Sequence, residues 1–212
     1  MIEGKTFILK ESHSLAHMIL NRPPKNEIDM EFFHELKKAR QTVFPHLKVK
    51  GMIIYGKGNH FSSGTNIEEL KSSIAKNDNF NLSVLKENVS SLLFFKKLPF
   101  PVIAAINGCC LGVGFELALA CDYRIASPRA VFCFPEITFG LIPGCGGSIQ
   151  LPKLAGRGKA VEMILSGKSM LADIAKSIGL VDHITEKKYI IGAAEKLIMH
   201  LSENYCYEDT AH

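Results

Sequence analysis

The sequence predicts an α/β protein. Three observations carry this. Segments with strand character alternate with segments of helical periodicity along the 212 residues. Pro101-Val102-Ile103-Ala104-Ala105-Ile106 is a near-continuous apolar run, the pattern of a strand buried on both faces of a parallel sheet. Strand character falls away after residue 134, so the final third is largely helical. Parallel strands need long crossovers, and the helical segments supply them.

Taken in order, residues 6–9 and 14–20 read as two strands around Glu11-Ser12-His13, a hairpin. Asn21-Arg22-Pro23-Pro24 breaks the pattern. Asp29 reads as the N-cap of a helix whose apolar stripe is Phe32, Phe33, Leu36 and Val43. Met52-Ile53-Ile54-Tyr55 is a short buried strand ended by Gly56. Residues 57–66 form a Gly/Ser/Asn loop, Ile67 to Lys71 a short helix, and Asn77-Asp78-Asn79 a polar gap. A helix from Leu82 to Lys97 places Leu82, Leu85, Val89, Leu92 and Leu93 on one side, and Pro99 and Pro101 stop it. After the strand ending at Ile106, Asn107-Gly108 turns the chain into a helix through Phe115 to Cys121. Tyr123 to Ala126 and Val131 to Phe134 read as strands. Helical patterns cover 146–155, 158–166 and 171–178, punctuated by Gly156 and Gly167. Val181 to Ile184 is a short extended piece, and the last helix runs from about Lys188 to Leu201.

Composition narrows the function classes. The hydrophobic share of 47% and charged share of 22% are ordinary globular proportions and exclude collagen-like or broadly disordered chains. The net charge of +4 is scattered, with basic pairs no longer than Lys37-Lys38, Lys96-Lys97 and Lys187-Lys188. That is no stripe for a nucleic acid, though it favours an anionic small ligand. The six Cys form no C-x-x-C pair and no zinc spacing, and most sit among apolar residues, so they read as free thiols in a reducing compartment. The sequence has no signal h-region and no apolar run of about 18 residues for a membrane span. A cytoplasmic location follows as the expectation, and the Asn81 and Asn88 sequons are then chance.

Several signatures fail. Gly167-Lys168-Ser169 lacks the upstream glycine of a phosphate loop, since Glu162 stands there. Gly144-Cys145-Gly146-Gly147 lacks the third glycine of a dinucleotide fingerprint, and no G-x-S-x-G elbow occurs. His60 near Ser62 and Ser63 has poor spacing for a nucleophile pair. Two carboxylates remain. Glu116 follows the Gly-rich turn Gly112-Val113-Gly114 among apolar residues, and Glu136 follows Pro135 in a similar setting. Burying an unpaired carboxylate is expensive, so each is either a salt-bridged or rim residue or a chemical group. The turn before Glu116 and the loop Phe61-Ser62-Ser63-Gly64-Thr65-Asn66 both lead into helices, where outward amides favour negative charge. One N–H from each gives an oxyanion hole, although two ordinary Gly-assisted turns have the same composition.

Here the residues carry a resemblance. Phe61-Ser62-Ser63-Gly64-Thr65-Asn66-Ile67 resembles F-S-A-G-A-D-I, and Ile106 to Ala118 resembles I-N-G-x-x-x-G-G-G-x-E-L-A. Phe134-Pro135-Glu136-Ile137 with Gly140 to Gly147 resembles PE…G-x-x-P-x-x-G-G, and Gly179-Leu180-Val181-Asp182 matches G-L-V-D. By these motifs the chain, from about residue 5 to 200, is similar to the crotonase superfamily, closest to enoyl-CoA hydratases. The resemblance implies a spiral of ββα units over 1–185 that binds acyl-CoA thioesters. It places the oxyanion amides on Thr65 and Val113, the two hydratase carboxylates on Glu116 and Glu136, and substrate contacts on Ser63, Gly64, Asn66, Ile67, Gly112 and Gly144. It implies no metal and no cofactor beyond coenzyme A as part of the substrate, and a homo-oligomer, trimeric or hexameric.

Three positions depart from the pattern: Val113 stands for the usual Gly, Thr65 for Ala and Asn66 for Asp. Relatives carry several helices after G-L-V-D, whereas residues 186–212 are expected to hold one short helix and a tail, a shortened version of that cap. The expected reaction is syn hydration of a 2-enoyl-CoA, with Glu116 activating water and Glu136 supplying the Cα proton. The alternatives are isomerisation, dehydration or decarboxylation of a CoA or carrier-bound thioester, and a non-catalytic subunit or regulatory partner. Isomerases of the superfamily generally work with the carboxylate matching Glu136 alone.

Overall fold

The strands assemble as two sheets. In the computed structural model, which describes residues 2–66 and 82–204, seven strands form the larger one. They are β1 (Ile2–Glu3), β2 (Phe7–Ser12), β3 (Leu15–Leu20), β4 (Gly51–Gly56), β5 (Val102–Ile106), β7 (Tyr123–Ala126) and β10 (His183–Ile184), side by side in that order. The smaller sheet joins β6 (Cys109–Leu111), β8 (Val131–Cys133) and β9 (Met170–Leu171). From β3 across to β10 the large sheet is parallel, and only its first two pairings are antiparallel. The hairpin at its edge pairs Phe7 with Leu20 and Ser12 with Leu15. His13 and Ser14 close it, both at positive φ (50° and 62°), as a two-residue turn that follows the strand twist demands.

The period-two alternation of strand side chains divides the core. Met18, Met52, Ile54, Val102, Ala104 and Ile106 enter the main cluster, while Leu15, Ile53, Ile103, Ala105 and Ile125 enter a second one. Helix α6 (Ile190–Asn204) covers that second face with Ile190, Ala194 and Ile198. Coverage on both faces is why the strand at 102–106 is apolar throughout.

On the main side, α1 (Met30–Thr42) starts as expected. Asp29 accepts from the Phe32 amide at 3.0 Å, and Phe32, Phe33 and Leu36 are buried. Val43 falls just past the helix end and packs on the core partly buried. Helix α2 (Leu82–Leu93) is shorter than expected and passes into a 3-10 turn at Phe94–Lys97. Its buried residues are Asn88, Ser91 and Leu92, while the predicted stripe lies largely to one side, with Leu82 62% exposed. The reason is positional: Leu85 and Leu93 turn toward Gly144 and Gly146, beside the candidate site. The expected short helix at 67–71, the polar gap at 77–79 and Asn81 lie outside the described residues.

The chain then spirals. It passes from β5 in the large sheet to β6 in the small one and into α3 (Val113–Leu119), then from β7 to β8 and into α4 (Gly147–Ser166). These are the ββα units expected. The short strands β6 and β9, and a 3-10 turn at Pro135–Phe139, carry no period in the sequence because each is five residues or fewer. The two expected helices on either side of Gly156 are one run broken at that glycine, whose φ of 77° and ψ of 158° are not helical. Helix α5 (Ala172–Ser177) follows β9. The Gly179-Leu180-Val181-Asp182 segment is fastened through Arg124, whose side chain is 3% exposed. Its guanidinium donates to the Leu180 and Cys121 carbonyls, both at 2.9 Å, and pairs with Asp182 at 3.1 Å. Among the described residues no helix is long and apolar enough to cross a membrane.

Candidate active site

Two loops from distant parts of the sequence meet at their glycines. Gly64, at φ 86°, and Gly112, at φ 51°, adopt backbone conformations that L side chains rarely take. A Cβ placed on Gly112 would lie 3.9 Å from the Gly64 Cα, and one on Gly64 would lie 2.8 Å from the Leu111 carbonyl. Each glycine immediately precedes one candidate oxyanion donor. Val113 is the first residue of α3, so its amide has no intrahelical acceptor. Thr65 follows the buried Gly64 and is itself exposed. Among the described residues neither the Thr65 nor the Val113 amide donates to another protein group.

The carboxylates come to the same place. Glu116 lies one turn into α3, 3% exposed. Its Oε1 accepts from the amides of Cys145 and Gly147, both at 2.7 Å. Gly147 opens α4, so Glu116 sits at a helix N-terminus, which favours its ionised form. A side chain at 147 has no room: a Cβ would lie 2.9 Å from both Glu116 Cγ and the Phe134 ring. Glu136 lies on the 3-10 turn, with Oε1 3.1 Å from the position of a Gly112 Cβ. Its Oε2 is buried and has no hydrogen-bond partner among the described residues. Stacking of Phe115 on Phe134, with ring centres 4.8 Å apart, ties the helix that carries Glu116 to the turn that carries Glu136.

Burial raises both carboxyls to about 7, and for Glu116 the nearby Glu136 charge adds to the push while the Gly147 and Cys145 amides oppose it. Near neutral pH the arrangement therefore holds one proton between two carboxyls. The amides favour charge on Glu116, and the unpartnered oxygen of Glu136 favours its protonated form. Such a pair can take a proton with one member and give one with the other.

The remaining sequence-derived positions distribute as follows. Ser63 is half-buried and its amide donates to the Lys25 carbonyl at 2.8 Å. Asn66 reaches Glu27 Oε2 at 3.5 Å. Gly144 is half-buried against Leu85. Ile67 lies outside the described residues. Sequence reasoning missed Asn26, Ser62 and the Cys145 and Gly147 amides. Asn26 is buried with φ 50°, and its side chain donates to the Lys57 and His60 carbonyls at 3.0 and 2.8 Å. A buried Asn just after a Pro-Pro turn was the available signal for it.

A family model described as enoyl-CoA hydratase/isomerase matches residues 10–207. YngF of Bacillus subtilis strain 168, which carries an enoyl-CoA hydratase/isomerase name, is 41% identical over 93% of this chain and 75% of its own length. The fatty acid oxidation complex subunit alpha of Vibrio parahaemolyticus is 34% identical over 93% of this chain, which spans only 29% of that protein. The crystal structure of enoyl-CoA hydratase from Bacillus anthracis superposes with a TM-score of 0.84 at 30% identity, covering 94% of this chain and 77% of that one. Matched in sequence over nearly its whole length and in fold to a solved hydratase, the chain belongs to the enoyl-CoA hydratase/isomerase family.

Proposed function

We propose that the chain catalyses syn hydration of a 2-enoyl-CoA to the 3-hydroxyacyl-CoA. The observation that carries the reading is the pairing of two desolvated carboxyls with opposite hydrogen-bond environments beside the facing glycines of two loops. In the proposed reaction the thioester carbonyl accepts from the Thr65 and Val113 amides, which makes Cβ electrophilic and stabilises the enolate that follows. Glu116 holds a water and takes its proton as the hydroxyl adds to Cβ. Glu136 gives its proton to Cα. Both carboxyls act on one face of the alkene, which gives syn addition. Gly64, Gly112, Ser63, Asn66 and Gly144 form the surrounding contacts, and coenzyme A enters only as part of the substrate.

The test is loss of the conjugated enoyl absorbance of crotonyl-CoA on adding enzyme. Glu116→Gln and Glu136→Gln should each lower kcat by about 10²- to 10⁴-fold, the usual weight of a positioned acid or base. No loss of absorbance, with conversion of a 3-enoyl-CoA that survives Glu116→Gln but not Glu136→Gln, would replace hydration by isomerisation. Absence of both turnover and thermal stabilisation by acyl-CoA would overturn the catalytic reading.

A further inference from the structure

An oxyanion hole works only if its two donors hold one separation, to about half an ångström. Here the donors belong to loops 48 residues apart in sequence, at Thr65 and Val113. We propose that Ser62 is the positioning residue that sets this separation by clamping the 59–66 loop to the 109–114 segment. The inference rests on the oxyanion reading of those two amides.

Ser62 is fully buried. Its backbone pairs with the second segment in both directions: its amide donates to the Cys109 carbonyl, and its carbonyl accepts from the Leu111 amide, each at 3.0 Å. It forms a parallel bridge with Cys110, one residue from the strand end that leads into Gly112. Its hydroxyl works in the other direction, toward Asn26 and its own loop. Oγ donates to the Asn26 carbonyl at 2.7 Å and accepts from the Gly64 amide at 3.1 Å. The Gly64 N–H is thus engaged, and the next amide, that of Thr65, has no protein acceptor among the described residues.

The third contact is steric. Ser62 packs against Gly114 so closely that a Cβ on Gly114 would lie 2.6 Å from Ser62 Cβ, 2.7 Å from its Oγ and 3.1 Å from its carbonyl oxygen. Gly114 is helical rather than at positive φ, so backbone conformation does not require a glycine there. What requires it is the approach of Ser62. The small residue and the glycine together fix how near the start of α3 comes to the first loop.

A double-mutant cycle tests the clamp. Ser62→Gly, which loosens the first loop, and Gly114→Ala, which wedges the two apart, should each lower kcat on crotonyl-CoA by about tenfold or more with KM changed less than about threefold. The Ser62→Gly/Gly114→Ala enzyme should be at least fivefold more active than the product of the two single effects, because removing the Ser62 side chain makes room for the new methyl. Ser62→Cys, which keeps an atom that can donate and accept, should recover part of the loss of Ser62→Ala. Ile103→Val, in the cluster beneath α6, serves as the stability control, with a lowered Tm and unchanged kcat. Multiplicative single effects, or a loss of kcat in Ile103→Val as large as that of a Ser62 or Gly114 variant with the same fall in Tm, would overturn the clamp. Failure of the hydration reading would show separately, as a wild-type enzyme inactive on crotonyl-CoA.

Discussion

The two glutamates carry a consequence for stability that is separate from turnover. A carboxyl raised from 4.5 to about 7 in the folded protein binds more protons folded than unfolded between those values. Stability contributed by that protonation is complete below about 4.5 and is lost as pH rises through about 7. The wild type should therefore lose on the order of 5 kcal/mol, about half from each carboxyl, between pH 5 and 8 relative to the Glu116→Gln/Glu136→Gln double variant. Urea unfolding at a series of pH values measures it, and parallel curves for the two proteins would refute it. Both carboxylates were legible in the sequence, since each stood among apolar residues beside a Gly or Pro turn. Their expected roles came from the resemblance, but their unequal hydrogen bonding was not legible: it comes from the Cys145 and Gly147 amides, which reach Glu116 from 29 and 31 residues away and which no local pattern announces.

Among the elements, the long periodic ones were readable and the short ones were not. The Asp29 cap, α1 and the apolar strand at β5 follow from local rules of capping and burial. Strands β6 and β9 form through pairing with distant β8, and the turn that carries Glu136 is held by its neighbours. The G-L-V-D motif illustrates the difference. Its spacing marks a relative, while its physical work is to satisfy Arg124, a guanidinium buried under the sheet edge. Asp182→Ala would leave that charge without its counter-ion and should cost about 3 kcal/mol. Chemical denaturation measures the loss, and kcat per folded molecule should stay within about twofold of wild type. A loss under 0.5 kcal/mol would mean that the carbonyl contacts alone hold Arg124.

At the scale of the whole molecule, the sequence conveyed the spiral through ordered motifs rather than through periodicity. The distances those motifs span matter for how the protein assembles. Asn26 meets Ser62 across 36 residues, His60 meets the Cys109 amide across 49, and Glu116 meets Cys145 across 29. Contacts this far apart in sequence close large loops, and such closures come late in folding. The residues of the proposed site are drawn together from Asn26 to Gly147. In refolding from urea, regained hydration of crotonyl-CoA should accordingly trail the far-ultraviolet dichroism and follow the slowest phase. Simultaneous recovery of both signals would count against this order. The meeting of two glycines that builds the site thus also acts as a clock: a molecule can hold its helices and sheets for a time and still be chemically silent.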